Sequence, residues 1–192
     1  HAREAVRAAI EMQREIARLS ESLVARGFPA LEMGVGINTG QVTVGDFGSM
    51  VRKSYTVIGD AVNLASRLEG LTRSYGVGII VGEATRKAVR GFAWRELDRV
   101  RVKGKDTAVT IFEPLGLRSQ LDAAEVVSLS AWHGALAHYR ARRWTAAEAE
   151  MRNLARREPG RALYALYLER IARLRMEPPA ADWDGVVAFD FK

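Results

Sequence analysis

The sequence predicts an α+β domain followed by a small all-α tail. Two observations carry the first part: strand and helix periodicities are mixed within the first 116 or so residues, and hairpin signals interrupt them. That mixture favours α+β over a doubly wound parallel sheet, which would alternate one strand with one helix. A third observation carries the tail: from about residue 125 to 176 only helical spacing is found. The predicted division is therefore a domain over 1–116, a connector over 117–124 and a helical tail over 125–192.

The elements follow in order. Ala5, Ala9, Met12, Ile16, Leu19 and Leu23 recur at three- and four-residue spacing, with Val6 and Ile10 widening the stripe, so the chain opens on a helix. That helix has no capping residue before it, and the first residue is His1 rather than Met, so an upstream segment is expected. Gly27 and Pro29 punctuate, and Leu31 to Ile37 alternates as a strand. Gln41 to Gly45 and Arg52 to Ile58 read as two further strands joined by Asp46-Phe47-Gly48-Ser49. A helix opens at Gly59-Asp60, with Asp60 the expected N-cap and Val62, Ala65, Leu68 and Leu71 along one face. A short apolar strand (Gly78 to Val81), a short helix (Gly82 to Arg90) and a long strand (Phe92 to Val102) come next. Lys103-Gly104-Lys105-Asp106 is a predicted turn, and Val109 to Phe112 the returning strand of a hairpin. Pro114 to Ala124 reads as a connector. The tail shows three apolar stripes: Leu129, Trp132, Leu136 and Tyr139, then Ala146, Ala149 and Leu154, then Leu163, Leu166, Tyr167 and Ile171. Pro178-Pro179 stops the pattern, and Val186 to Phe191 forms a short strand or an extended arm.

Composition excludes several functions. The 192 residues contain no cysteine, which removes disulfides, thiolate catalysis and Cys-based zinc sites. No apolar run approaches a membrane span. The net charge of +6 comes mostly from arginines spread along helices, which reads as a solvated surface rather than a nucleic-acid stripe. No nucleic-acid partner is therefore expected, and a reducing cytoplasm is consistent with the composition. The histidines at 1, 133 and 138 are scattered, and the two in the tail read as surface or packing residues.

One stretch concentrates polar chemistry. Ser54-Tyr55-Thr56-Val57-Ile58-Gly59-Asp60-Ala61-Val62-Asn63-Leu64-Ala65-Ser66-Arg67 runs from a strand through a glycine into a helix. Asn63 and Arg67 lie four residues apart, on one helical face. Arginine suits forked contact with phosphate, and asparagine can orient a sugar oxygen. The bland alternative is a solvated face of an amphipathic helix. Lys103 and Lys105 flank a turn glycine where they can meet a triphosphate, although hairpin turns are commonly lysine-rich. Gly34-Val35-Gly36-Ile37-Asn38-Thr39-Gly40 lacks the spacing and the lysine of a phosphate-binding P-loop. Its glycines read as points of close packing.

Taken together, Gly34 to Gly40, Val44-Gly45-Asp46-Phe47-Gly48, Tyr55 to Leu68 and Val102 to Lys105 occur in the order and at the spacing of a known family. The chain resembles class III adenylate and guanylate cyclases from about residue 1 to 116. The resemblance implies a ferredoxin-like class III nucleotide cyclase domain, N-terminally incomplete, and a site at the interface of a head-to-tail homodimer. In that site Arg67 stabilises charge developing on the phosphates and Asn63 positions the ribose. Lys103 contacts the terminal phosphates with Lys105 as helper, and Thr56 occupies the position that helps choose the purine. Many adenylate cyclases have aspartate there, and threonine is similar to a bacterial subgroup that uses ATP. The implied reaction is in-line attack of the ribose 3′ oxygen on the α-phosphate, with two divalent ions, Mg or Mn, serving the attacking and leaving oxygens.

The two metal-binding aspartates and the base-selecting lysine of that family would lie upstream of His1. The chain alone is therefore expected to bind no metal and to be inactive. The tail, with Tyr139 to Trp144 followed by Ala146 and Ala149, resembles a degenerate tetratricopeptide repeat. With room for little more than one repeat, it is expected to pack on the cyclase domain. A membrane tether is expected only through absent upstream regions. The rival reading is a non-catalytic cyclase-like module that binds nucleotide or pairs with another chain, with the tail as adaptor.

Overall fold

The computed structural model describes residues 1–49, 52–102 and 107–189. The order is α1 (Ala2–Ala25), β1 (Val35–Ile37), β2 (Thr43–Gly48), β3 (Lys53–Ile58), α2 (Asp60–Tyr75), β4 (Ile79–Gly82), α3 (Glu83–Ala88), β5 (Phe92–Val102) and β6 (Val109–Leu117). A 3₁₀ turn (Arg118–Gln120) then leads to α4 (Ala123–Arg140), α5 (Trp144–Arg157), α6 (Ala162–Met176) and β7 (Val187–Phe189). Strands pair as β1-β4-β6-β5-β7 in one sheet, while β2 and β3 form a separate antiparallel ribbon. The main sheet is mixed: β1 with β4 and β5 with β7 are parallel, and the other pairs are antiparallel. This is the α+β architecture that the sequence predicts.

Strand alternation sorts the core into two layers. Ile79, Val81, Phe92, Trp94 and Phe112 face α1 and bury Val6 and Ala9. Ile80, Leu97, Val100 and Ile111 face the other way, against Leu64, Leu68 and Leu71 of α2 and against the tail. Three positions show why the helices sit where they do. Gly36 lies under α2, where a Cβ would run into the Ala65 carbonyl and the Glu69 amide. Gly40 lies against Ala61 in the same way. The Gln13 amide donates to the Met33 carbonyl at 2.7 Å and the Gly78 carbonyl at 3.0 Å, tying α1 to two neighbouring chain segments.

The opposing group at Gly36 is helix backbone, which cannot step aside. Gly36→Ala is therefore expected to lower the unfolding free energy by about 1–3 kcal/mol in urea denaturation. A loss below about 0.5 kcal/mol, the scatter of surface substitutions, would contradict the docking of α2 on β1.

Several boundaries differ from the sequence expectation. The first predicted strand shrinks to Val35–Ile37, because the Met33 carbonyl is taken by Gln13 instead of a ladder partner. Asp46-Phe47-Gly48, expected as a connection, belongs to β2, where Asp46 pairs with Tyr55 and Gly48 with Lys53. β6 runs through Pro114 to Leu117; a register shift at Ala93/Trp94 accommodates the residue that has no N–H to give. Gly59, not Asp60, is the N-cap of α2, and its carbonyl accepts from Val62 N and Asn63 N. The terminal strand forms over Val187–Phe189. Among the described residues no helix is long and apolar enough to cross a membrane.

The tail is not an appendage on a stalk. α4 opens with a capping box between Asp122 and Glu125. Trp132, Tyr139, Tyr164, Tyr167 and Ile171 are buried in the same cluster as α2 and β5. Their rings pack edge-on, with Trp132 and Tyr167 at 5.2 Å and Tyr139 and Tyr167 at 5.0 Å between centroids. The predicted packing of the tail on the preceding domain is what the fold shows.

Candidate active site

β3 leads straight into α2, and the predicted residues lie along that path. Thr56 sits exposed in β3 opposite Gly45. Gly59 makes the turn, its backbone close against Gln41 and Val42. Asn63 follows on the first turn of α2 and Arg67 one turn later. Leu64, Leu68 and Leu71 anchor the neighbouring face to the sheet, which leaves Asn63 exposed and Arg67 half-buried. Neither side chain makes a hydrogen bond or ion pair with another described residue. The fold thus presents an amide and a guanidinium together and uses neither internally. Thr56 stands on the β2–β3 ribbon, which leads into that helix. Lys103 and Lys105 lie outside the described residues; β5, which leads to them, ends at Val102.

The ribbon itself is unusual. Every residue of β3 is exposed, and Val42, Val44, Tyr55, Val57 and Ile58 are large apolar side chains open to solvent, Tyr55 at 75%. Contiguous apolar exposure of this kind marks a contact surface. Among the described residues, no three His, Cys, Asp or Glu side chains stand close enough to hold a metal ion. These residues do not fit the divalent ions that the family resemblance implies.

A second polar constellation, absent from the sequence reading, lies under the far end of α2. Asp98, 1% exposed, accepts from Tyr75 Oη at 2.7 Å and from Arg170 Nη1 at 2.6 Å. Burial first, and then the Asp98 carboxylate, push the Tyr75 hydroxyl far up, so it stays a neutral donor. Burial works against the Arg170 charge, but Asp98 and the hydroxyls of Tyr75 and Tyr167 outweigh it and hold the guanidinium above its usual value. A sequence signal for it existed. Arg170 falls among Leu163, Tyr167 and Ile171 at helical spacing, a charged residue in a buried stripe.

The chain is similar to known proteins. The family model described as the adenylate and guanylate cyclase catalytic domain matches residues 1–113. The chain belongs to that family. Among curated proteins, an adenylate cyclase of Anabaena cylindrica is 40% identical over 117 residues, covering 57% of this chain and 23% of the relative. Adenylate cyclase 1 of Rhizobium meliloti is 32% identical over 126 residues, covering 65% and 19%. The chain thus spans less than a quarter of the length of these curated relatives. Among solved structures, the adenylyl cyclase CyaB from P. aeruginosa matches with a TM-score of 0.56 and 35% identity, covering 63% of this chain and 62% of that one. A guanylyl cyclase matches with a TM-score of 0.54 and 34% identity, covering 63% and 61%. An adenylyl cyclase and a guanylyl cyclase thus both stand among these neighbours.

Proposed function

We propose that this chain supplies the nucleotide-handling half of an adenylate cyclase site, which forms cyclic AMP and pyrophosphate from ATP at the interface of a homodimer. The observation that carries the reading is the pair of exposed Asn63 and half-buried Arg67, presented one turn apart by a helix whose own fold does not use them. Arg67 meets the negative charge that grows on the phosphates as the 3′ oxygen attacks. A preorganised cation there contributes most where water is excluded. Asn63 holds the ribose so that attack is in line. Lys103, with Lys105 beside it in sequence, takes the terminal phosphates, and Thr56 offers one hydroxyl to the purine edge.

The apolar ribbon supports the dimer, since Tyr55, Val57 and their neighbours need a partner surface. Two divalent ions, if held by carboxylates outside the described residues, would supply Lewis-acid chemistry to the phosphates. Such carboxylates would belong to a metal-holding segment that works together with this chain. A cytoplasmic location, where ATP is abundant, follows from the substrate.

The test is base selectivity. In the enzyme that joins this chain to a metal-holding segment, kcat/KM for ATP is expected to exceed that for GTP by roughly 10–200-fold. That is the range for one discriminating contact, and Thr56→Ala is expected to shrink it. A preference for GTP would reverse the substrate assignment.

A further inference from the structure

β5 carries one extra residue. Glu96 pairs with Phe112 and Asp98 with Ile111, so Leu97 is a bulge, and the strand changes parity there. Before the bulge Phe92 and Trp94 face α1; after it Val100 and Val102 face α2 and the tail, and Asp98 turns to that side with them. A bulge leaves backbone polar groups without ladder partners, and buried ones must be satisfied elsewhere. Here the tail satisfies them. Trp132 Nε1 donates to the Glu96 carbonyl at 2.7 Å, and Tyr167 Oη to the Leu97 carbonyl at 2.7 Å. The Glu96 amide donates to His133 Nε2 at 3.2 Å.

The same junction reaches the site helix. Arg170 Nη1 is 2.6 Å from Asp98, its Nη2 donates to Tyr75 Oη at 3.4 Å, and its guanidinium lies 4.9 Å from the Tyr167 ring centroid. Tyr75 is the last residue of α2. At Gly76 the α6 backbone comes so near that a Cβ would sit 2.5 Å from the Ala162 Cβ. The chain then returns to the sheet, where β7 pairs in parallel with Val100 to Val102, the three residues before Lys103.

We propose that the tail is a brace for the nucleotide-handling elements, with Arg170 and Tyr75 as positioning residues that fix the far end of the helix bearing Asn63 and Arg67. The proposal rests on the cyclase reading of those two residues. A buried guanidinium tolerates little displacement from its carboxylate, because the unpaired charge is costly. α2 is a stiff rod, and Tyr75 lies only about 12 Å along it from Arg67, so a tilt at Tyr75 is carried to the site. β7 adds a second hold, on the strand that leads to Lys103.

The experiment compares Tyr75→Phe, which removes one hydroxyl and keeps the ring and the ion pair, with Arg170→Met, in the enzyme that joins this chain to its metal-holding segment. Amide exchange over 68–75 is expected to accelerate roughly tenfold or more in both variants, as local opening, while amides of α5 keep their protection. Turnover per folded enzyme, with the folded fraction read by circular dichroism, is expected to fall by about 10-fold or more, on the scale of small misplacements of reacting groups. Should Arg170→Met fail to fold, Tyr75→Phe decides by itself. Unchanged exchange over 68–75, or faster exchange with undiminished turnover, would overturn the proposal. If the wild-type enzyme forms no cyclic nucleotide, the cyclase reading falls and with it the catalytic role of the brace. The exchange measurement still decides whether the tail fixes α2.

Discussion

Replacing Arg67 by alanine is expected to lower kcat by about 10²–10³-fold, the scale seen on removing one preorganised electrostatic stabiliser, with a much smaller change in KM for ATP. The reasoning is local. The guanidinium is half-buried at the second turn of a helix anchored by Leu64 and Leu68, so its position is set before substrate arrives. It has no partner among the described residues, so its loss leaves no buried carboxylate unpaired and the fold should not suffer. Asn63→Ala is expected to act in the same direction, also without loss of stability. Steady-state kinetics beside a denaturation curve separates the two effects. A fall in kcat below about threefold, under 1 kcal/mol, would mean that the developing charge is met by another group.

Asp98→Ala is expected to cost about 3–5 kcal/mol of unfolding free energy, because Arg170 would be left as a buried, uncompensated charge. Asp98 is 1% exposed and Arg170 6%, so water cannot take the carboxylate's place without opening the junction. For a chain of this length each kcal/mol corresponds to about 2–4 °C in Tm. The pair replaced together, Asp98→Leu with Arg170→Met, is expected to recover most of the loss, since apolar side chains of similar volume often substitute for buried ion pairs at little cost. Asp182→Ala, on the exposed return segment, should change stability by less than about 0.5 kcal/mol. Urea denaturation of the four proteins is the measurement. A loss of under about 1 kcal/mol for Asp98→Ala would show that the ion pair does not hold the tail to the sheet.

Much of this fold was legible because its elements are written in local patterns. The predicted strand Phe92 to Val102 has the same bounds as β5. The glycines at 34, 36 and 40 read as points of close packing, and each is pressed against α2. Helical spacing puts Asn63 and Arg67 on one face but leaves a solvated surface as the simpler reading. It is the family resemblance that gives them roles, and the structure leaves Asn63 exposed and Arg67 half-buried. What escaped was non-local. The bulge at Leu97 depends on the register between β5 and β6, which no spacing within one strand reveals. Past the bulge Asp98 faces Arg170, 72 positions away in the chain. The Asp46-Phe47-Gly48 segment was misplaced for a related reason, since glycine-rich composition signals a turn while the cross-strand partners Tyr55 and Lys53 extend the ladder.

The central claim, that this chain gives its residues to a site completed by a partner, is tested most directly by mixing two inactive enzymes. One carries Arg67→Ala; the other has an intact Arg67 and lacks one aspartate of the metal-holding segment. Each homodimer has two damaged sites and is expected to be slower by about 10²-fold or more. A heterodimer places both lesions in one site and leaves the other whole, so mixing is expected to restore activity to as much as half of wild type per heterodimer. If subunits demonstrably exchange and activity stays at the level of the separate homodimers, Arg67 works within its own chain and the shared site is contradicted.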